Sequence, residues 1–190
     1  MTTANKQFAL AADIGGTNIR AALIDSKGRI TGRGSINTEP KRGIEDASNR
    51  LARLLNAAKA TAPVNTAIVG VGVSTAGPIR PDTGTYNNPP NLPGWHDQTM
   101  KPELSASMGL PVWVGHDATL AALAETRFGD HLGAENLIYV TISTGVGGGI
   151  IANSEMVTGT SGSAGEVGHI SVRTGAYKCN VGCDGCFEGN

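Results

Sequence analysis

Hydrophobic positions come in short blocks at the start of the chain. Residues 8–13 (FALAAD) and 19–25 (IRAALID) are two apolar runs separated by Gly15-Gly16-Thr17, and Ser26-Lys27-Gly28-Arg29 reads as a hairpin turn into a third run over 30–38. Links this short permit only antiparallel neighbours, because a parallel crossover takes a dozen residues or more. A three-stranded meander is therefore expected. The period then changes: Ile44, Ala47, Leu51, Leu54, Leu55 and Ala58 recur at helical spacing with polar residues between them, which predicts an amphipathic helix over 44–60. Residues 66–74 (TAIVGVGVS) are nearly all apolar, the pattern of a strand buried on both faces.

Most of the prolines fall in 77–95, so that stretch reads as a turn followed by a loop. Beyond it the pattern predicts a helix over 97–108, a strand over 111–115 (PVWVG) and a helix over 118–128. A strand over 136–144 (NLIYVTIST) follows, then a glycine turn over 145–149 and a further strand including 150–152. Together these make an α/β fold with a mixed sheet. The expected division is a first lobe over 1–117 and a second over 118–190. Strand, glycine turn and strand occur at 8–25 and again at 136–152, which points to two related halves.

Composition narrows the function classes. With 39% hydrophobic residues and a net charge of −1, the 190-residue chain has globular rather than disordered character. It also lacks the basic excess that nucleic acid would require. No apolar run reaches the length of a membrane span, and the first residues, MTTANKQ, lack the apolar segment of a signal peptide. A cytoplasmic protein with no membrane partner is expected. The three cysteines, Cys179, Cys183 and Cys186, are an odd number close together, which suits metal ligation better than a disulfide framework.

The first glycine turn carries the clearest chemistry. Gly15 and Gly16 let backbone N–H groups close on an anion without Cβ obstruction, and Thr17 adds a hydroxyl. Asp13 would repel phosphate directly but can hold Mg²⁺ through water. A plain hairpin turn explains a single such sequence equally well. The second segment, Ser143-Thr144-Gly145-Val146-Gly147-Gly148-Gly149, shifts the balance toward phosphate, with Thr144, Gly145, Gly147 and Gly148 as its binding residues. Neither segment matches the P-loop or the dinucleotide fingerprint.

DIGGTN at 13–18, GVGVSTAGP at 70–78, NNPPNLPGW at 87–95, STGVGGGI at 143–150, GEVGH at 165–169 and GCFE at 185–188 together resemble the ROK family of sugar kinases and regulators. The motifs run in family order over nearly the whole chain. The resemblance implies a ribonuclease H-like (actin-like ATPase) fold and an ATP-dependent hexose kinase, with ATP and sugar in a cleft between lobes. Glucokinase-like transfer to the 6-hydroxyl is the first expectation, and an N-acetylmannosamine or N-acetylglucosamine kinase the second. A sugar-responsive transcriptional regulator, or a non-catalytic sugar-binding module, is the reading from another class. Regulators of the family carry an N-terminal helix-turn-helix, whereas only seven residues precede the first run here.

Asp117 follows a buried strand and opens a helix, where α/β sheets place ligands. By itself it fits a helix cap and a general base equally well. The resemblance makes it the base that accepts the sugar hydroxyl's proton. His116 precedes it where the family usually has Asn, which bears on sugar preference. The resemblance also implies sugar contacts by Asn91, Glu166, His169 and Glu188, besides His116 and Asp117.

His169, Cys179, Cys183 and Cys186 form a Cys₃His set suited to structural zinc. The family pattern is CxCGxxGCxE, and here Val181 occupies the place of its second Cys. Cys183 is expected to serve as the third thiolate. Family members are longer, so the second lobe is expected to be incomplete, without its adenosine pocket or the helix that returns to the first lobe. On that expectation the chain alone is inactive, and the full-length protein is a homodimer.

Overall fold

The structure, a computed structural model, describes residues 7–143, 145–173, 175, 177–179 and 181–189. The chain divides into two compact units, Met1–Gly115 and His116–Asn190.

In the first unit β1 (Gln7–Ile14), β2 (Asn18–Asp25) and β3 (Ile30–Asn37) form the expected antiparallel meander. Phe8, Leu10, Ala12 and Ile14 of β1 are buried, while the residues between them are partly open, so the period of two turns one face to the core. The β2–β3 turn closes with the Asp25 N–H donating to the Arg29 carbonyl at 3.1 Å, and Gly28 takes the left-handed conformation at φ 77°. Helix α1 (Ile44–Lys59) buries Ile44, Ala47, Leu51, Leu55 and Ala58 along one stripe and packs on β2 and β3. The chain then returns as β4 (Ala67–Thr75), parallel to β1. With β5 (Val112–His116), the sheet order is β3-β2-β1-β4-β5.

Two expectations in this unit are corrected. Strand β4 is not buried throughout, for Val69 is 49% exposed. A register shift between Phe8 and Leu10 gives β4 an extra residue, and such a bulge turns a side chain away from the core. The helix expected over 97–108 is α2 (Lys101–Met108). Asp97 sits at φ 56°, outside helical space, and proline is tolerated only in the first turn, which Pro102 occupies. The loop before it has no regular structure yet is anchored. Tyr86 and Trp95 are fully buried in an edge-to-face pair with centroids 5.2 Å apart. The Trp95 indole N–H donates to the Pro40 carbonyl at 3.1 Å.

In the second unit α3 (Asp117–Phe128) packs on an antiparallel sheet of β6 (Leu137–Ile142), β7 (Val146–Ala152) and β8 (Glu155–Met156). The glycine run expected as a turn lies mostly within β7, where Gly147, Gly148 and Gly149 pair with Thr141, Val140 and Tyr139. The reason is steric. A Cβ on Gly149 would lie 2.5 Å from the Ala118 carbonyl oxygen and 2.8 Å from Ala122 Cβ, so α3 can rest on β7 only where β7 has no side chain. Bridges between Ser171 and Cys186 and between Lys178 and Asp184 fold the cysteine segment back on itself.

Candidate functional site

The first unit supplies the turn after β1. The Gly15 N–H donates to the Asn18 carbonyl at 2.9 Å, and the Thr38 hydroxyl donates to the Gly15 carbonyl at 2.6 Å. Among the described residues nothing accepts from the N–H groups of Gly16 and Thr17 or pairs with the Thr17 hydroxyl. Three donors without an intramolecular acceptor among the described residues therefore lie in one half-open turn, the composition of an anion nest. Asp13 stands just before it, with Arg20 Nη1 2.9 Å from its Oδ2. Arg20 was not singled out from sequence, although a hairpin centred on Gly16-Thr17 places it opposite Asp13, and that register is observed.

Asn91 is exposed on the anchored loop. Its backbone rests against Gly16: a Cβ there would lie 3.0 Å from the Asn91 carbonyl oxygen and 3.2 Å from Asn91 Cβ. The loop is fixed by buried Tyr86 before Asn91 and by buried Leu92 and Trp95 after it, so an exposed amide is carried on an anchored loop.

In the second unit His116 ends β5 and Asp117 opens α3. The Asp117 Oδ1 accepts from the Ala118 N–H at 2.7 Å and lies 3.2 Å from His116 Nε2. The carboxylate thus binds its own helix start while remaining half exposed. Thr144 lies outside the described residues. Gly145, Gly147 and Gly148 are described, and each has a packing reason to lack a side chain. A Cβ on Gly145 would lie 2.5 Å from Glu188 Oε2, one on Gly147 would lie 3.3 Å from Ala118 Cβ, and one on Gly148 would lie 2.6 Å from the Gly165 carbonyl oxygen.

Glu188 has a local partner that sequence did not indicate. Its Oε2 accepts the Val146 N–H at 2.8 Å, and its own N–H donates to the Gly168 carbonyl at 2.8 Å. The GCFE and GEVGH segments are thereby tied to the start of β7. A backbone partner of this kind leaves no signal in residue spacing.

His169, Cys179, Cys183 and Cys186 converge, their ligand atoms all within 4.8 Å of one another. His169 Nδ1 is 3.8 Å from Cys179 Sγ and 3.5 Å from Cys183 Sγ. Bond lengths of about 2.0 and 2.3 Å place the ligand atoms of tetrahedral zinc about 3.6–3.8 Å apart, so the donor set fits that ion. The other ring nitrogen of His169 lies 3.9 Å from Glu166 Oε2, beyond direct hydrogen-bond reach. Val181 is 51% exposed and outside the cluster. Burial pushes the Cys179 thiol up, but the Val181 N–H and the Cys183 thiol outweigh it and bring Cys179 down to about 7. The hydrogen bond to Cys179, then burial and the charges of Cys179 and Cys186, push Cys183 up to about 11. One thiolate forms readily and the next is resisted by like charge, a resistance that a dication removes.

Residues 9–190 match the ROK family. The chain is 37% identical over 187 residues to a glucokinase of Halalkalibacterium halodurans, covering 94% of this chain and 54% of the relative. It is 37% identical over 185 residues to an N-acetylmannosamine kinase of Escherichia coli, covering 94% and 59%. The crystal structure of a ROK family glucokinase from Streptomyces griseus with glucose and AMPPNP superimposes with a TM-score of 0.82 at 33% identity, covering 95% of this chain and 56% of that one. The chain thus spans between half and three fifths of the length of these proteins. The fold is that of the sugar kinases of this family, the ribonuclease H-like (actin-like ATPase) type, in part. No described helix is long and apolar enough to cross a membrane.

Proposed function

Because the chain belongs to the ROK family, we propose that it carries the phosphate-binding and proton-accepting residues of an ATP-dependent hexose kinase of glucokinase type acting on the 6-hydroxyl. The observation that carries this reading is the placement of Asp117. It is a half-exposed carboxylate at a strand end and helix start, with one oxygen bound by backbone and imidazole. Its other oxygen takes the proton as the sugar oxygen attacks the γ-phosphorus and the bond to the β–γ bridging oxygen breaks.

The N–H groups of Gly16 and Thr17 and the Thr17 hydroxyl donate to phosphate oxygens, as fixed dipoles that need no reorganisation during transfer. In the second unit Thr144, Gly145, Gly147 and Gly148 are the corresponding phosphate residues, with Glu188 holding the Val146 amide beside them. Asp13 would hold Mg²⁺ through water, and the ion would supply charge neutralisation to the nucleotide phosphates. The Asn91 amide, Glu166, His169 and Glu188 supply donors and acceptors for sugar hydroxyls. Zinc held by His169, Cys179, Cys183 and Cys186 would have four protein ligands and a structural role, fixing the loops that carry Glu166 and Glu188. The equal identities to a glucokinase and an N-acetylmannosamine kinase keep an N-acetylhexosamine as the second substrate reading.

The test is Asp117→Asn in the intact protein, assayed by coupled ADP release against a panel of hexoses and N-acetylhexosamines. The substitution keeps the shape and removes the proton acceptor, so kcat should fall about a hundredfold or more with a modest change in sugar KM. Near-normal kcat would leave Asp117 as a helix cap only. The sugar with the highest kcat/KM decides between the two substrate readings.

A further inference from the structure

We propose that His116 is a positioning residue for Asp117, fixing which carboxylate oxygen acts as base. The inference rests on the reading of Asp117 as the base. Two groups approach one oxygen: the Ala118 N–H donates to Oδ1 at 2.7 Å, and His116 Nε2 lies 3.2 Å from the same atom. A nitrogen lone pair turned toward a carboxylate oxygen would repel it, so Nε2 carries a proton and donates, whether the ring is neutral or cationic. No described residue of this unit donates to Oδ2. Oδ1 is held and Oδ2 is left to take the proton.

Burial supports the division of labour. The His116 side chain is 16% exposed and that of Asp117 is 52% exposed. A packed ring at the end of β5 thus holds a carboxylate that reaches into solvent, and without the ring the carboxylate would sample other rotamers.

The experiment measures kcat and hexose KM across pH for the intact kinase and its His116→Ala and His116→Asn variants. His116→Ala should lower kcat about ten- to hundredfold through misplacement of the base, with KM nearly unchanged. His116→Asn keeps a donor for Oδ1 and should recover most of kcat. A raised KM with unchanged kcat in His116→Ala would make His116 a sugar ligand and overturn the proposal. So would failure of His116→Asn to recover any of the kcat lost in His116→Ala. Nitrogen-15 NMR of the His116 ring separates this failure from failure of the base reading. A ring protonated only on Nδ1 overturns the positioning role whatever Asp117 does, whereas normal kcat in Asp117→Asn removes the base itself.

Discussion

Apart from Val64, Trp113, Val69 and Ile30, the first unit hides its large apolar side chains, and the second leaves most of its own exposed. Leu10, Leu51, Leu55, Tyr86, Leu92 and Trp95 are all fully buried in the first, whereas Phe128, Leu132, Ile138, Ile142 and Tyr177 of the second are each more than 60% exposed. Burial on the order of 25 cal/mol per Å² of apolar surface can hold the first unit together. The second has helix α3 on a glycine face, one hydrogen-bonded glutamate and a cluster of thiols. Its local order therefore depends on chemistry that the first unit does not use.

On the proposal that the Cys₃His cluster holds zinc, the largest expected effect comes from chelating it. Structural zinc contributes about 10–16 kcal/mol of apparent binding energy in small sites, far more than any single side chain in the first unit. Chelation should abolish amide protection around residues 166–188 in hydrogen exchange and leave that of β1 and α1 intact. Reloading should release protons, because Cys183, held up to about 11 in the bare cluster, must deprotonate to bind. Cys183→Ser should lose zinc by elemental analysis, and Val181→Cys added to it should restore binding. Full zinc occupancy in Cys183→Ser would show that Cys183 is a bystander, and uniform loss of protection would erase the contrast between the units.

The converse test is Leu10→Ala. Leu10 is completely buried in the central strand of the first unit, and such truncations cost about 2–5 kcal/mol. Denaturant unfolding followed by Trp95 fluorescence should shift by that amount while zinc content stays the same. Loss of zinc in parallel would show that the two units do not keep separate sources of stability.

What was legible in the sequence follows the same divide. In the first unit the period-two run of β1 and the helical spacing of α1 record burial directly, so strands and helix were readable to within a residue or two. The helix expected from Asp97 starts only at Lys101, because the Asp97 backbone leaves helical space and Pro102 must sit in the first turn. In the second unit the glycines of β7 looked like a turn, because a strand flattened for a helix lacks the side chains that mark a strand. Cysteine spacing disclosed the Cys₃His cluster. The Glu188–Val146 bond and the His116–Asp117 pair were not legible, since one partner is backbone and the other depends on side-chain direction.

The smallest effects should come from Gly15 and Gly16, which are adjacent in sequence and unlike in surroundings. A Cβ on Gly15 meets only the Asn18 carbonyl oxygen, at an ordinary 3.6 Å, whereas one on Gly16 presses on Asn91 at 3.0 and 3.2 Å. Gly15→Ala should leave the first unit's unfolding midpoint unchanged, because nothing is displaced. If the turn is a phosphate nest, the added methyl should still raise the ATP KM several-fold by standing in the anion's approach. Gly16→Ala should raise both the ATP and the sugar KM, since the Asn91 loop must give way. Steady-state kinetics with each substrate varied in turn separates the outcomes. An unchanged ATP KM in Gly15→Ala would remove the nest from the nucleotide site. An unchanged sugar KM in Gly16→Ala would mean that Asn91 does not contact the sugar, because its support would have moved without consequence.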